Sequence, residues 1–168
     1  SLIDRIGMIV RRSTDPQLTR DVKAYHALAE LAERAGRERA IGASLIRSGE
    51  FDLPTLRQIA GLAGQQDAHL NSAVTLLASD DPRRALLESL AVSGERQALE
   101  AQRGTLFSSP SGMYALDASE WFATTTNRIG SLNDMRTDLL TGVMALANQE
   151  VAEARSDLIM ASSLALGA

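Results

Sequence analysis

The sequence contains no cysteine, which excludes disulfide bonds, thiol catalysis and cysteine-based metal sites. Aromatic residues make up only 4%, and alanine, leucine, glutamate and arginine abound, a composition typical of a helical protein. The net charge of −4 is mild and no basic block is present, so we expect no nucleic-acid partner. No glycine-rich phosphate loop or nucleophile–base pair is found, and the two histidines, His26 and His69, lack the Glu-x-x-His arrangement of carboxylate metal bundles. We therefore expect no enzymatic activity, no catalytic residues, no cofactor and no metal.

Apolar residues recur at three- and four-residue spacing along most of the chain, and no strand-like alternation is found. Asp15-Pro16 and Asp81-Pro82 are typical helix starts, because the aspartate caps the first turn and proline suits it. Asp117 and Glu120 have the spacing of a capping box, and Ser93-Gly94 marks a place where a helix can bend. The predicted helices span residues 2–12, Pro16 to about Ser48, Asp52 to about Ser79, 82–106 and 118–163.

The lengths of these helices predict the architecture. The patterns over 2–48 and 118–163 would each be about 70 Å long at roughly 1.5 Å per residue, and the two middle helices about half as long. Because short connections make neighbours antiparallel, we expect an all-α antiparallel helical bundle of two long outer helices and a shorter two-helix hairpin. The chain would be one domain, 1–168, with a four-helix half far from a membrane and a two-helix stalk of 1–15 and about 150–168. Termini at one end suit an extracytoplasmic domain between two membrane spans that lie outside this sequence.

Two arginines lack an acidic residue three or four positions away, where side chains on a helix meet. Arg39 has only alanine and glycine at those positions, and Arg128 has threonine, serine and leucine. In an antiparallel pair of outer helices, both would lie roughly 14–15 Å below the far end. With Trp121 and Thr125 nearby, they predict a site for a small oxyanion, because arginine donates paired hydrogen bonds to planar oxygen groups.

Other interpretations of the charged residues remain open. Arginines in helical bundles commonly reach solvent or pair with an acid on another helix, and Glu38 or Glu120 could serve as that acid. Arg96 and Arg103 could reach the bundle interior, although Glu100 is close enough in sequence to neutralise both. A chain of this kind would be a structural or protein-interaction bundle with no small-molecule ligand.

Two distant segments of the sequence carry distinctive motifs. They are Arg37-Glu38-Arg39-Ala40 with Ser44-Leu45 and Ser48-Gly49, and Glu120-Trp121-Phe122-x-x-Thr125-x-x-Arg128-Ile129-x-x-Leu132. Together they resemble the nitrate- and nitrite-sensing (NIT) domain of bacterial chemoreceptors, histidine kinases and a nitrate-responsive antitermination regulator, over about Tyr25 to Leu140. Ala40 stands where that family usually has glycine after its Glu-Arg pair.

The resemblance implies an all-helical sensor that binds nitrate or nitrite through arginines between its helices. Carried over position by position, the arginines of the family correspond to Arg39, to the preceding Arg37 and to Arg128. A third-helix arginine is Arg96 or Arg103, and the resemblance does not decide between them. Related domains could accept another small anion such as formate.

We therefore expect the periplasmic or extracellular sensor domain of a bacterial inner-membrane receptor, a methyl-accepting chemotaxis protein or a sensor kinase. It would be a homodimer in the intact receptor and would bind nitrate, nitrite or a similar small anion. The expected ligand-binding residues are Arg39 and Arg128, with help from Arg37, Thr125 and Trp121. The alternative is the interaction bundle, which solvent-exposed Arg39 and Arg128 would favour.

Overall fold

The computed structural model describes residues 15–109 and 113–166, with side chains described as far as Met160. The regular elements in these residues are all helices, which confirms the predicted all-α bundle. The predicted helix 2–12 lies outside the described residues. The helices are α1 (Pro16–Ser48), α2 (Leu53–Leu76), α3 (Pro82–Ala91), α4 (Gly94–Phe107) and α5 (Ala118–Leu166).

Aspartate side chains begin the first three helices where the sequence predicts it. Asp15 and Asp81 each accept a hydrogen bond from the backbone N–H two residues later, at 2.7 and 2.9 Å, and Asp52 caps α2 in a similar way. A proline follows each cap within two residues, where its missing N–H would have no helical partner. Gly49 ends α1 in the left-handed conformation (φ 64°) that suits glycine. These local signals determine where the helices begin and end.

The two long helices run antiparallel. Near the start of α1, Leu18 packs with Val143 and Ala147 of α5. Near the end of α1, Arg39 Nη1 donates a hydrogen bond to Thr126 Oγ1 at 3.0 Å. From Leu18 to Arg39 the position along α1 increases, while the contacted position on α5 decreases from 143–147 to 126. This arrangement is the first–last pair that the helix lengths predict.

The middle helices form a hairpin that completes a four-helix bundle. In α2, Ile59 belongs to the same apolar cluster as Ala43 of α1, and Leu77, just after α2, belongs to the cluster of Ala24. α2 therefore runs antiparallel to α1, and α3 and α4 return along α5. α2 ends slightly before the predicted Ser79, because Leu77 already has an extended backbone.

The third predicted helix, 82–106, is interrupted in the structure. α3 ends at Ala91, and Val92 has a non-helical backbone with φ −119° and ψ 11°. Ser93 Oγ then accepts a hydrogen bond from Arg96 N at 3.2 Å and caps α4. The bend predicted at Ser93-Gly94 is therefore a complete break between two helices. Such a break leaves the last carbonyl groups of α3 without partners inside the helix.

One arginine fastens the hairpin to both long helices. Arg83 Nη2 donates to Asp21 Oδ2 of α1 at 2.7 Å, and its Nε donates to Asp81 Oδ1 at 2.9 Å. Gly142 of α5 lies so close that a β-carbon there would be 2.7 Å from Arg83 Nη1. The hydrogen bond from Arg83 also lowers the pKa of Asp81. The turn before α3 is thereby held against α1 and α5.

Three apolar clusters fill the interior of the bundle. The distal cluster lies far from the chain ends, the central cluster lies in the middle of the four-helix part, and the proximal cluster joins α1 to α5 alone. No helix in the described ranges is both long and apolar enough to cross a membrane. The division into a domain and a stalk remains a prediction. The clusters are built around Ala43, Leu106 and Trp121 (distal), Leu28, Leu70 and Leu132 (central), and Leu18, Val143 and Ala147 (proximal).

Candidate functional site

A layer of polar side chains separates the distal cluster from the central cluster. On α1, for example, Glu38 occupies the core between Ala35 of the central cluster and Ala43 of the distal cluster. Every member of the layer has at most 8% of its surface exposed. Buried polar groups at this depth are costly unless they find partners. The buried polar layer consists of Glu38 from α1, Gln66 from α2, Gln102 and Arg103 from α4, and Thr125 and Arg128 from α5.

Glu38 and Arg103 form a two-pronged ion pair inside this layer. Arg103 Nε and Nη2 donate to the two oxygens of the Glu38 carboxylate at 2.7 and 2.6 Å. Gln66 Nε2 donates a third hydrogen bond, at 2.6 Å, to Glu38 Oε2. Desolvation would lower the pKa of Arg103, but the hydrogen bonds from its guanidinium to Glu38 raise it. This pair joins α1, α2 and α4, and both of its charges are satisfied.

Arg128 is the cation of the layer that has no carboxylate partner. Only 2% of its surface is exposed, and none of the ion pairs found in the described part of the chain includes it. Desolvation, together with the positive charges of Arg96 and Arg103, lowers the pKa of Arg128 to about 10. The guanidinium therefore stays charged at neutral pH without a counter-ion.

The hydrogen bonds of Arg128 go to the break between α3 and α4. Its Nη1 donates to Leu90 O at 2.6 Å and lies 3.5 Å from Ser93 Oγ. Leu90 O is one of the carbonyl groups that the break leaves without a helical partner, and a cation is favourable at the C-terminal end of a helix. Arg128 thus links the buried polar layer to the break between α3 and α4.

Trp121 and Thr125 form the part of α5 that leads to Arg128. The Trp121 side chain is fully buried, and its Nε1 donates to Arg39 O at 3.2 Å. Thr125 Oγ1 donates back to Trp121 O at 2.8 Å, so its proton is used within α5. The structure therefore brings Trp121, Thr125 and Arg128 together on one stripe of α5.

Gly42 makes room for the indole of Trp121, and we predict that a methyl group there is destabilising. A β-carbon at Gly42 would lie 2.4 Å from Trp121 Cε2, and this ring is fully buried. We expect Gly42→Ala to reduce the free energy of unfolding by about 1–3 kcal/mol, as overpacking in a core does. Urea denaturation measures this effect. Gly36→Ala on the same helix is the matched control, because nothing lies within 4 Å of its added methyl group. Equal stability of the two variants would contradict the packing argument.

Arg39 and Arg37 lie outside the buried polar layer. The half-buried Arg39 guanidinium donates to Thr126 Oγ1 and lies 4.7 Å from the centre of the Phe122 ring. The hydrogen bond to Thr126 places Arg39 level with Arg128 along α5, as predicted. Phe122 and Thr126, however, lie on a different face of α5 from Arg128. Arg37 is 60% exposed and pairs with Glu33 at 2.9 Å.

In a comparison with protein-family models, the chain matches nitrate and nitrite sensing (NIT) over residues 1–144. The match covers well over half of the sequence and includes both distant motifs. The chain belongs to the NIT family. No curated protein and no solved structure matches it. As a member of this family, the chain is a sensor domain, and the resemblance inferred from its motifs is confirmed.

The pairing of Glu38 in this NIT domain differs from the pairing considered from sequence. Glu38 is a candidate partner for Arg39 or Arg128, but it binds Arg103, whose side chain projects to it from α4. Glu100 contacts both neighbouring arginines, as its spacing in the sequence allows, since it lies 2.9 Å from Arg96 and also contacts Arg103. Arg103 is thus the third-helix arginine that enters the interior of the NIT domain.

Two glutamines of the NIT domain were not identified from sequence. Gln66 lies four residues after Leu62 and four before Leu70, so a polar residue in the apolar stripe of α2 was the signal. Gln102 Nε2 donates to Thr124 Oγ1 at 3.1 Å, whereas its buried Oε1 has no hydrogen-bond partner in the described residues. No group of histidine, aspartate and glutamate side chains that could hold a metal ion is found within 15–109 and 113–160.

Proposed function

We propose that this NIT domain binds nitrate, nitrite or a similar small monovalent oxyanion at Arg128, inside the bundle. The observation that carries the proposal is a buried guanidinium without a carboxylate partner. A planar oxyanion matches the donor geometry of a guanidinium and would supply the missing negative charge. Because it would bind the folded state alone, the anion would also stabilise the bundle.

The surroundings of Arg128 support an internal ligand rather than a protein partner. The alternative function, an interaction bundle, requires arginines that a partner's surface can reach. Arg128 is 2% exposed and Arg39 is half-buried, so neither presents an open cationic surface. Trp121 and Thr125 would form the wall of the site on the α5 side, and Arg39 would add positive potential from the adjoining face.

Binding at Arg128 offers a route to a signal. An anion that takes hydrogen bonds from the guanidinium competes with Leu90 O, the carbonyl at the end of α3. The joint between α3 and α4 would then differ between the free and bound states, and α1 and α5 could shift against each other. Such a differential contact is what a ligand needs to change a conformational equilibrium.

We further propose that the domain lies outside the cytoplasm in a bacterial transmembrane receptor, a chemotaxis receptor or a sensor kinase, and works there as a homodimer. Family membership supports this placement, because the resemblance implies receptors of these kinds. The antiparallel pairing of α1 with α5 supports it as well, since the start of α1 and the C-terminal part of α5 lie at the same end of the bundle.

The proposed ligand is tested by calorimetric titration of the chain with nitrate, nitrite, formate and chloride. We expect saturable binding of nitrate or nitrite, with chloride much weaker because it lacks the planar oxygen arrangement. Arg39→Ala should weaken binding, since it removes a charge at the same level, and Arg37→Ala should leave it unchanged, since that side chain is exposed and paired. No binding of any of these anions by the folded chain would reject the sensor site and favour the interaction bundle.

A further inference from the structure

The fully buried part of the polar layer has a definite charge. Three of its side chains are ionisable, Glu38, Arg103 and Arg128, and each is at most 2% exposed. Two cations and one anion leave one net positive charge, and Glu38 is the residue that reduces it from two to one. We infer that Glu38 determines the charge selectivity of the site, so that monovalent anions are accepted and divalent anions are rejected.

The inference rests on the proposed anion site at Arg128 and follows from the fixed position of Glu38. The carboxylate accepts three hydrogen bonds, from Arg103 and Gln66, and its relative exposure is zero. It therefore cannot turn to solvent when a ligand arrives. A monovalent anion brings the layer to neutrality, whereas a divalent anion adds a second negative charge at low dielectric with no cation inside the buried layer to balance it.

Arg39 adds one positive charge from the adjoining face of α5, but the other partly exposed side chains around the layer outweigh it. Arg96 is a second nearby cation, and it is already paired with Asp67 at 2.6 Å and with Glu100 at 2.9 Å. Glu95 adds another negative charge on α4 and accepts a hydrogen bond from Ser131 Oγ at 3.3 Å. Taken together, these partly exposed groups carry a net negative charge. They therefore disfavour the binding of a dianion, as Glu38 does.

Perchlorate and sulfate provide the charge test, because both are tetrahedral oxyanions of similar size and they differ in charge. Nitrate is titrated in parallel. We expect the wild-type chain to bind nitrate and perchlorate at least about tenfold more tightly than sulfate, because one uncompensated unit charge at this depth costs that much or more. The absence of nitrate binding would reject the proposed function, whereas nitrate binding together with equally tight sulfate binding would reject the selectivity alone.

Variants of the ion pair assign the selectivity to Glu38. Glu38→Gln keeps the shape of the side chain and raises the layer to two positive charges, so we expect the sulfate-to-perchlorate affinity ratio to rise by about tenfold. The double variant Glu38→Gln/Arg103→Gln returns the layer to one positive charge and should restore the wild-type ratio. Differences in the hydration of the two anions cancel in this comparison, because the same salts are used for every variant.

The fold of Glu38→Gln is controlled within the same experiment. If the variant is unfolded in chloride buffer, refolding is followed by circular dichroism at matched concentrations of perchlorate and sulfate. The effect of sulfate relative to that of perchlorate should then be larger on the refolding of Glu38→Gln than on the stability of the double variant. A sulfate-to-perchlorate ratio that is the same in wild type, Glu38→Gln and the double variant would overturn the assignment to Glu38.

Discussion

Arg128→Gln should abolish nitrate binding and leave the chain folded. The substitution removes the buried charge that an anion would neutralise, and Leu90 O keeps the hydrogen bond that it accepts from Ser93 Oγ at 3.3 Å. Desolvation and the positive charges of Arg96 and Arg103 lower the pKa of Arg128 to about 10, which corresponds to a cost of roughly 3 kcal/mol for the charged form. That relief offsets the loss of a charged hydrogen bond, which is worth about 1.5–3 kcal/mol. We therefore expect a change in the free energy of unfolding of no more than about 1 kcal/mol.

Two measurements check this prediction, calorimetry with nitrate and urea denaturation without it. Arg155→Gln is the matched control, because it removes the same charge from an exposed position on α5. That variant should bind nitrate as the wild type does. Retained binding in Arg128→Gln would move the site elsewhere, and Arg39 would then be the cation to test. A large loss of stability in Arg128→Gln would instead assign Arg128 a structural role as the cap of α3.

Glu38→Ala should be the most destabilising single substitution in the buried polar layer. It leaves Arg103 buried without its two-pronged partner and takes away the acceptor of Gln66. Removing one member of a buried ion pair typically costs about 3–5 kcal/mol. Glu100 also contacts Arg103, but it is partly exposed to solvent and compensates the remaining charge only in part. Urea denaturation of Glu38→Ala should show a loss in this range.

A double-mutant cycle separates the ion pair from the loss of packing. Arg103→Ala should also be destabilising, and the double variant Glu38→Ala/Arg103→Ala should be clearly more stable than the sum of the two losses predicts. Glu33→Ala, which breaks the exposed pair with Arg37 on the same helix, should change stability by no more than about 0.5 kcal/mol. Additive losses at Glu38 and Arg103 would show that the pair contributes little as a pair.

The order, length and ends of the helices could be predicted from the sequence because their signals are local. Asp-Pro caps and Gly49 act within a single turn, and apolar spacing reports one face of one helix. The level of Arg39 beside Arg128 was also predictable, because it depends only on counting residues along two antiparallel helices. The family itself could be recognised because its two motifs are distinctive as a pair.

The facing of the side chains could not be predicted in the same way. Successive residues on a helix project about 100° apart, so Glu38 and Arg39 point to different neighbours although they are adjacent. Which of them enters the interior depends on how α1 is rotated against three other helices. The absence of nearby acidic residues singles out Arg39 in the sequence. The ion pair between Glu38 and Arg103 spans 65 positions, so no short-range pattern in the sequence predicts it.

The buried polar layer also limits how far the helices can slide along one another. A displacement of α1 by one helical turn, about 5.4 Å, would carry Glu38 out of reach of Arg103 and into a flanking apolar cluster. Buried polar contacts of this kind fix the register of packed helices, because any other register leaves charges unpaired in apolar surroundings. Movement of α1 against its neighbours is therefore confined to a fraction of a turn or to a rotation that preserves the Glu38–Arg103 contact. Any sliding movement that is transmitted along the long helices must therefore be shorter than one helical turn.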